Sequence, residues 1–437
     1  MPQTSLTYRT IVRVAAAAMP LFSLTSPRAR AGHQGRRVAE RHLSDWARRE
    51  RDPVRPLAWF HASSVGEGLQ AESVIEALRS LQPHLQFAFT HFSPSAEPLA
   101  RRLRVDVSAY APYDLPADID AVLESLRPDL LVFSKLDLWP ELATRAAARG
   151  VCVAIVAGTV SAGSGRLRWP ACRILAPGYA SVAAAGAVAE PDAERLIRLG
   201  VPRPAVRVLG DPRFDSVAAR VRAIAADDPL LRFGQGAPTM VAGSTWPGDE
   251  SALMAAFAAI RADRPDARLI VVPHEPTPGH LAGLEALAAR AGLPRPVRLS
   301  EATGPVPLLA VDRVGVLAAL YGAGSMAHVG GGFGRAGLHS VLEPAAWGLP
   351  VVFGPRWQES RDAALLRDAG AAVSVNGADE MRTTWETWLR DPAGSAAMGR
   401  RAREVVESGL GAARLSAEML AQLTSSRPPR TSPSEGR

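Results

Sequence analysis

The chain holds a single lysine. Of its 50 basic residues all but Lys135 are arginine, and 43 acidic residues leave a formal charge of +7. In a sequence so rich in Ala, Arg, Gly and Pro, codon bias accounts for that skew. No zinc-finger, RNA-recognition or KH signature accompanies it, so the charge does not read as nucleic-acid binding. Cysteine is nearly missing: Cys152 and Cys172 make neither a CxxC nor a paired metal spacing, which excludes a disulfide scaffold and fits a reducing compartment. No unbroken apolar stretch reaches roughly 18 residues, which argues against a multi-span membrane protein. GxSxG, HExxH and the GK[ST] of a Walker loop are all lacking, and with them go two common hydrolase classes and the P-loop NTPases. What remains is 437 residues, 47% of them hydrophobic and 21% charged, enough for more than one globular core.

From Leu57 onward, short apolar runs alternate with helix-period stretches across glycine-bearing turns. Strands are expected at 57–63, 86–92, 129–133, 151–157, 181–185 and 206–209, then at 239–242, 268–272, 307–311, 326–329, 351–353 and 371–375. The second series is served by helices at 249–262, 280–291, 339–347 and 359–369. Such βα alternation predicts an α/β fold of two doubly wound, Rossmann-like domains facing across a cleft, with ligands at the carboxyl ends of the strands. We divide the chain into a membrane-associating segment with a basic helix (1–52), a first domain (53–215), a second (216–423) and a disordered Pro/Ser-rich tail (424–437). The start of the chain has three readings. Arg9 and Arg13 precede an apolar run, Val14 to Leu24, interrupted by Pro20. A secretory signal, an interfacial anchor continued by the basic stretch Arg36 to Arg51 with Trp46, and an ordinary surface helix all fit this pattern.

Several turns after strands bear chemistry. In HASSVGEG (His61–Gly68), Glu67 falls in the first turn of a helix, where a carboxylate serves either as a cap complementing the helix dipole or as a general base. FSKLDLWP (Phe133–Pro140) carries Lys135, a compact ammonium suited to phosphate or carboxylate, with Asp137 two residues on as the competing structural partner. AGSTWPGDE (Ala242–Glu250) offers Ser244 and Thr245 to a phosphate or, equally, as an ordinary N-cap. VPHEP (Val272–Pro276) fixes His274 between prolines. The richest stretch, His328–Pro355, joins a strand, three glycines and a helix bearing His339 and Glu343. It permits close backbone approach to a ligand, with Glu343 placed to hold ribose hydroxyls. Asp118 and Asp120 form a DxD at a helix start, and no metal-ligand spacing is present.

The order of these segments resembles the 3-deoxy-D-manno-octulosonic acid (Kdo) transferases. The resemblance runs from Tyr8–Arg9 through HASSVGEG, FTHFSPSAE, YAPYDLP, FSKLDLWP, LGDPRFD, AGSTWPGDE, VPHEP and GGGFGRAGLHSVLEPA to FGP, nearly the whole ordered chain. It implies a GT-B glycosyltransferase that takes Kdo from CMP-Kdo to a lipid A precursor with inversion, using no metal and no cofactor beyond the donor. Its place would be the cytoplasmic face of the inner membrane, held as a monotopic or peripheral protein. By the same resemblance Glu67 is the base. Donor contacts carry over to Pro273, His274, Val314, Gly315, Val316, Ser340, Val341, Leu342 and Glu343; apart from the resemblance, the turns themselves offer Ser64, Lys135, Asp137, Ser244 and Thr245 as candidate acceptor or phosphate contacts. Many members have Pro-Arg at 273–274, Gly-Glu at 315–316, His-Asn at 339–340 and METELWP where this chain reads SKLDLWP. Those departures keep three rivals open: a transferase for another nucleotide sugar, a non-hydrolysing sugar-nucleotide epimerase, and a noncatalytic paralogue.

Overall fold

A computed structural model describes residues 3–425. The described residues form two compact units, 3–216 with 410–425, and 217–409. The expectation of one domain over 216–423 is therefore corrected at its end: the helix Ala412–Ser425 packs on the helix Val65–Leu81 of the first unit. That helix also takes in residues 424 and 425, the start of the expected tail, whose remainder lies outside the described residues.

The first unit is built on a seven-stranded parallel sheet of β1 (Leu57–Ala62), β2 (Gln86–His91), β3 (Val107–Tyr110), β4 (Leu130–Ser134), β5 (Cys152–Gly158), β6 (Ala184–Ala187) and β7 (Val206–Val208). Its order is β3-β2-β1-β4-β5-β6-β7. Both faces are covered, so the strands read as near-continuous apolar runs. Alternation nonetheless sorts their side chains. Leu57, Trp59, Leu131 and Phe133 enter one core with helices from 27–49, 116–126 and 140–148, while Ala58, Phe60, Leu130 and Val132 enter the other with helices 65–81 and 412–425.

The second unit repeats the plan with β8 (Thr239–Thr245), β9 (Arg268–Pro273), β10 (Val297–Arg298), β11 (Leu308–Ala310), β12 (Met326–Val329), β13 (Val351–Phe353) and β14 (Ala372–Ser374). Here the order is β10-β11-β9-β8-β12-β13-β14. Strand order reverses between β1 and β4 in one sheet and between β8 and β12 in the other. The crevice at such a reversal, outside the carboxyl ends of the strands, is where open α/β sheets bind ligands.

Two strands, β3 and β10, were not foreseen, being an edge strand of four residues and one of two. The helix expected at 339–347 shrinks to Leu342–Ala346, because Gly337 adopts φ +84° and the His339 N–H donates to the Gly330 carbonyl, holding 337–340 as loop.

Ahead of the first sheet lie the helices Leu6–Thr25 and Pro27–Arg49. None of the described helices is long and apolar enough to cross a membrane. The first is fastened by polar bonds: the Tyr8 hydroxyl donates to Asp114 at 2.7 Å, and Arg9 makes a two-pronged pair with Glu141 at 2.9 and 3.0 Å. Leu6, Ile11, Val14, Leu21, Phe22 and Leu24 are left exposed along it. Trp46, read from the sequence as a lipid contact, is instead buried in the sheet core with Leu43, and Arg36 lies over the Phe92 ring.

Candidate active site

In the first unit β1 delivers the chain to Ser64, which caps the helix Val65–Leu81, and Glu67 stands at its third position. One carboxylate oxygen, Oε2, accepts the Ser64 N–H at 3.0 Å, so the capping role is real. The other, Oε1, lies 3.7 Å from Lys135 Nζ. That neighbour comes from the end of β4, the strand paired with β1, and the Ser134 hydroxyl donates to the Glu67 carbonyl at 2.9 Å to hold the two turns together. Lys135 takes φ +63°, the left-handed region, which bends the chain sharply as it leaves the sheet. The competing contact between Lys135 and Asp137 is not what forms. Lys135 pairs with Glu67, and Asp137 pairs with Arg166 at 3.3 Å.

Burial pushes the Glu67 carboxyl up, and the Asp137 carboxylate beside it pushes the same way, against the pull of Lys135 and the cap. The lowering expected from the helix dipole is thus outweighed. A carboxylate of raised basicity at a strand-order reversal can take a proton from a hydroxyl. His61 sits behind it, hydrogen-bonded to the Thr90 hydroxyl and edge-on to Phe133 and Trp139, with burial lowering its pKa to about 4. It is neutral at pH 7 and structural. Asp120 of the DxD is likewise structural, pairing with Arg145 and Arg149.

In the second unit the turns after β8 and β12 meet. Asp249, buried at the start of the helix Pro247–Asp263, accepts N–H bonds from Trp246, Gly331 and Phe333 at 2.9, 2.9 and 3.3 Å, tying the STWP turn to the triple-glycine loop. The approach is close enough that a Cβ on Gly330 would fall 2.3 Å from the Ser244 carbonyl oxygen. Thr245 donates to Glu250, which also pairs with His280, and the His274 N–H donates to the Thr245 carbonyl. Above this junction Trp246, His274 and His339 stack: the two histidine rings are 4.5 Å apart, and the indole N–H donates to His339 Nε2 at 3.0 Å. The indole bond makes Nε2 an acceptor and leaves the ring proton on Nδ1.

Pro273 ends β9. Ser340, Val341, Leu342 and Glu343 follow the glycine loop, whereas Val314, Gly315 and Val316 lie beyond β11, with Val314 exposed. Ser244, Thr245, Pro273 and His274 lie at the carboxyl ends of β8 and β9, and 314–316 lead from β11 into the helix Leu317–Tyr321, which packs on β8 and on the helix Leu342–Ala346 that carries Glu343. Glu343 is partly buried, its side chain 16% exposed, and paired with Arg220 at 2.8 Å. Sequence reasoning missed Trp246 and Asp249, although both stand inside a quoted motif. It also missed Arg166 and Arg220, which had no local signal among so many arginines. Among the described residues no group of His, Cys, Asp and Glu could hold a metal ion.

Residues 36–216 match the family described as 3-Deoxy-D-manno-octulosonic-acid transferase (kdotransferase). A 3-deoxy-D-manno-octulosonic acid transferase of Bordetella pertussis is 29% identical over 90% of this chain and 93% of its own length, and that of Haemophilus influenzae 25% identical over 90% and 91%. Among solved structures, UDP-GlcNAc 2-epimerase from Neisseria meningitidis superposes with a TM-score of 0.61 at 14% identity, covering 84% of this chain and 99% of that one. A glycosyltransferase from Rickettsia africae gives 0.56 at 11% identity over 85% and 100%. At such identities the likeness to solved structures speaks to the fold.

Proposed function

We propose that the chain is a Kdo transferase, a glycosyltransferase of the GT-B fold, and that it moves Kdo from CMP-Kdo to a hydroxyl of a lipid A precursor, with inversion, in lipopolysaccharide inner-core synthesis; the family match over residues 36–216 and the relatives named above support this reading. What carries the mechanistic part is Glu67: a buried carboxylate of raised basicity, fixed by the Ser64 N–H and flanked by Lys135. Glu67 takes the proton of the acceptor hydroxyl as its oxygen attacks the anomeric carbon, and CMP leaves with the bonding pair. Lys135 stabilises the ionised base before the reaction. The cap holds one oxygen and leaves the other to the acceptor.

On the donor side Ser244, Thr245, His274 and the loop around Ser340 offer backbone and hydroxyl contacts to the phosphate, and Glu343 offers a carboxylate to the ribose. We assign the step to chain residues and require neither a metal nor a further cofactor. The exposed apolar side chains of the helix Leu6–Thr25, followed by an arginine-rich helix, support a monotopic or peripheral seat on the cytoplasmic face of the inner membrane.

The test is transfer from enzymatically regenerated CMP-Kdo to a tetra-acylated lipid A precursor, without added metal, beside Glu67→Ala. Product from the native chain alone supports donor, acceptor and base together, and counting the sugars added gives processivity. No product from the folded native chain, with CMP still bound, defeats the acceptor assignment. Preference for UDP over CMP in direct binding defeats the donor assignment.

A further inference from the structure

The proposed donor contact Glu343 is not an isolated carboxylate. It is enclosed in the second unit just after the glycine loop, and Arg220 Nη1 donates to its Oε1 at 2.8 Å. Arg220 comes from the helix Pro212–Arg222, 123 positions earlier in the chain. The cation is delivered at a cost: its Nε is buried and finds no acceptor in the protein. A buried donor left without an acceptor is unfavourable, so the guanidinium is set by its bond to Glu343 rather than by full hydrogen bonding of its own nitrogens. The geometry serves Oε1 of Glu343 instead.

Glu343 needs such a partner. Ribose hydroxyls donate best to an ionised carboxylate, which is acceptor-only, whereas a protonated one presents a competing O–H. Burial drives Glu343 toward the protonated form and holds its pKa above the ordinary carboxylate value, and the charge that opposes this is Arg220. Tyr321 of the helix Leu317–Tyr321 also faces it, and its hydroxyl stays protonated far above neutrality and brings no charge; the helix Pro392–Ser408, packed on Glu343's own helix, sends Arg403 to the Trp347 carbonyl.

We propose that Arg220 is a positioning residue for the donor: by pairing with Oε1 of Glu343 it fixes that carboxylate as the acceptor of the ribose hydroxyls. This rests on the reading that Glu343 holds the donor's ribose. Arg220 touches no reacting atom and acts through Glu343.

The experiment compares the affinities of CMP and 2′-deoxy-CMP for the full chain by calorimetry at about pH 6 and about pH 8.5, in wild type, Arg220→Gln, Arg220→Lys and Glu343→Gln. Wild type is expected to prefer CMP by about tenfold at both pH values, the worth of one hydrogen bond to a charged acceptor. Arg220→Gln should lose more of that preference at the lower pH than at the higher, because removing the opposing charge raises the Glu343 pKa further. Arg220→Lys should behave as wild type. A fastening role alone would lower the melting temperature of Arg220→Gln and leave its CMP preference equal at the two pH values, which overturns the proposal. Should Arg220→Gln fail to fold, the wild type still decides: a preference that rises between the two pH values means Arg220 does not keep Glu343 ionised. Glu343→Gln separates the premise. If it retains the full preference for CMP, the ribose reading has failed, whatever Arg220 does.

Discussion

Replacing Lys135 with methionine keeps the length of the side chain and removes its charge from Glu67. The ammonium stands 3.7 Å from the carboxylate, and the two side chains are 46% and 11% exposed. At that distance a unit pair is worth about 4 kcal/mol at an effective dielectric of 20 and about 1 kcal/mol in bulk water. Nearly half of the lysine is in solvent, so the value lies near the lower bound, about 1–1.5 kcal/mol, or roughly tenfold in the ionisation equilibrium of Glu67. Only ionised Glu67 can take the acceptor proton. The acid limb of the pH dependence of kcat/KM for Kdo transfer should therefore move to higher pH in Lys135→Met, with the rate down about tenfold at any pH on that limb and little changed on the plateau. Lys135→Arg keeps the charge and should keep the limb. An unmoved limb, or one moved to lower pH, refutes the reasoning. A uniform loss at every pH would mean that Lys135 touches a substrate rather than the base.

Burial raises the pKa of Asp114 to about 6 from an ordinary 3.8, so the folded state keeps its proton to higher pH than the unfolded chain, and ionising it costs stability as pH rises through that window. Relative to Asp114→Asn, which lacks the titration, the wild-type unfolding free energy in urea should fall by roughly 2–2.5 kcal/mol between about pH 4 and about pH 7. Parallel curves for the two proteins would contradict this. Gly243→Ala places a Cβ 2.1 Å from the Tyr321 hydroxyl and 2.7 Å from Leu317 Cδ1. Overpacking of this kind should cost about 1–3 kcal/mol in thermal or urea unfolding, and Tyr321→Phe should recover part of it, a recovery whose absence would point elsewhere. Leu21→Ser with Phe22→Ser removes two side chains that are 70% and 59% exposed. Half-embedding each in a bilayer is worth about 1 kcal/mol or more, so binding to anionic vesicles in a flotation assay should weaken at least about tenfold, and unchanged flotation would remove this helix from the membrane contact.

The sheets were legible where strands are long and buried. Leu57, Trp59 and Phe60 announce a strand covered on both faces, and the turns that follow such strands carried Glu67, Ser244 and His274. Edge strands were not legible, because Val297–Arg298 has too few residues to show any period. Trp46 shows a second limit. A basic helix with one aromatic looks the same whether the ring meets lipid or core, and only the neighbouring sheet decides that it packs beside Leu43. The harder failure concerns partners. Asp137 is close to Lys135 in sequence yet pairs with Arg166, and Glu343 takes Arg220 across 123 positions. Ion pairs of that kind follow from topology, which a local pattern does not contain.

Topology also explains a feature that the two units share. Among the described residues the non-glycine positions with positive φ are Arg127, Lys135, Ala157 and Ser244. Arg127 ends a helix, but Lys135 and Ser244 occupy matching places: each stands at the carboxyl end of a strand that borders a reversal of strand order, β4 beside β1 and β8 beside β12. A left-handed conformation costs an ordinary residue about 1–2 kcal/mol, and glycine would relieve it. Glycine would not do the same work. At 135 it would leave Glu67 without the only ammonium side chain in the protein. At 244 the bend sets the next residue so that the Thr245 hydroxyl reaches Glu250 and its carbonyl receives the His274 N–H, while the Ser244 carbonyl presses against Gly330. Strain of this size persists where the surrounding packing holds it and something is gained by the direction it imposes. Here the same backbone device, used beside the reversal of each sheet, sets Lys135 against Glu67 in one unit and the Thr245 carbonyl against the His274 N–H in the other.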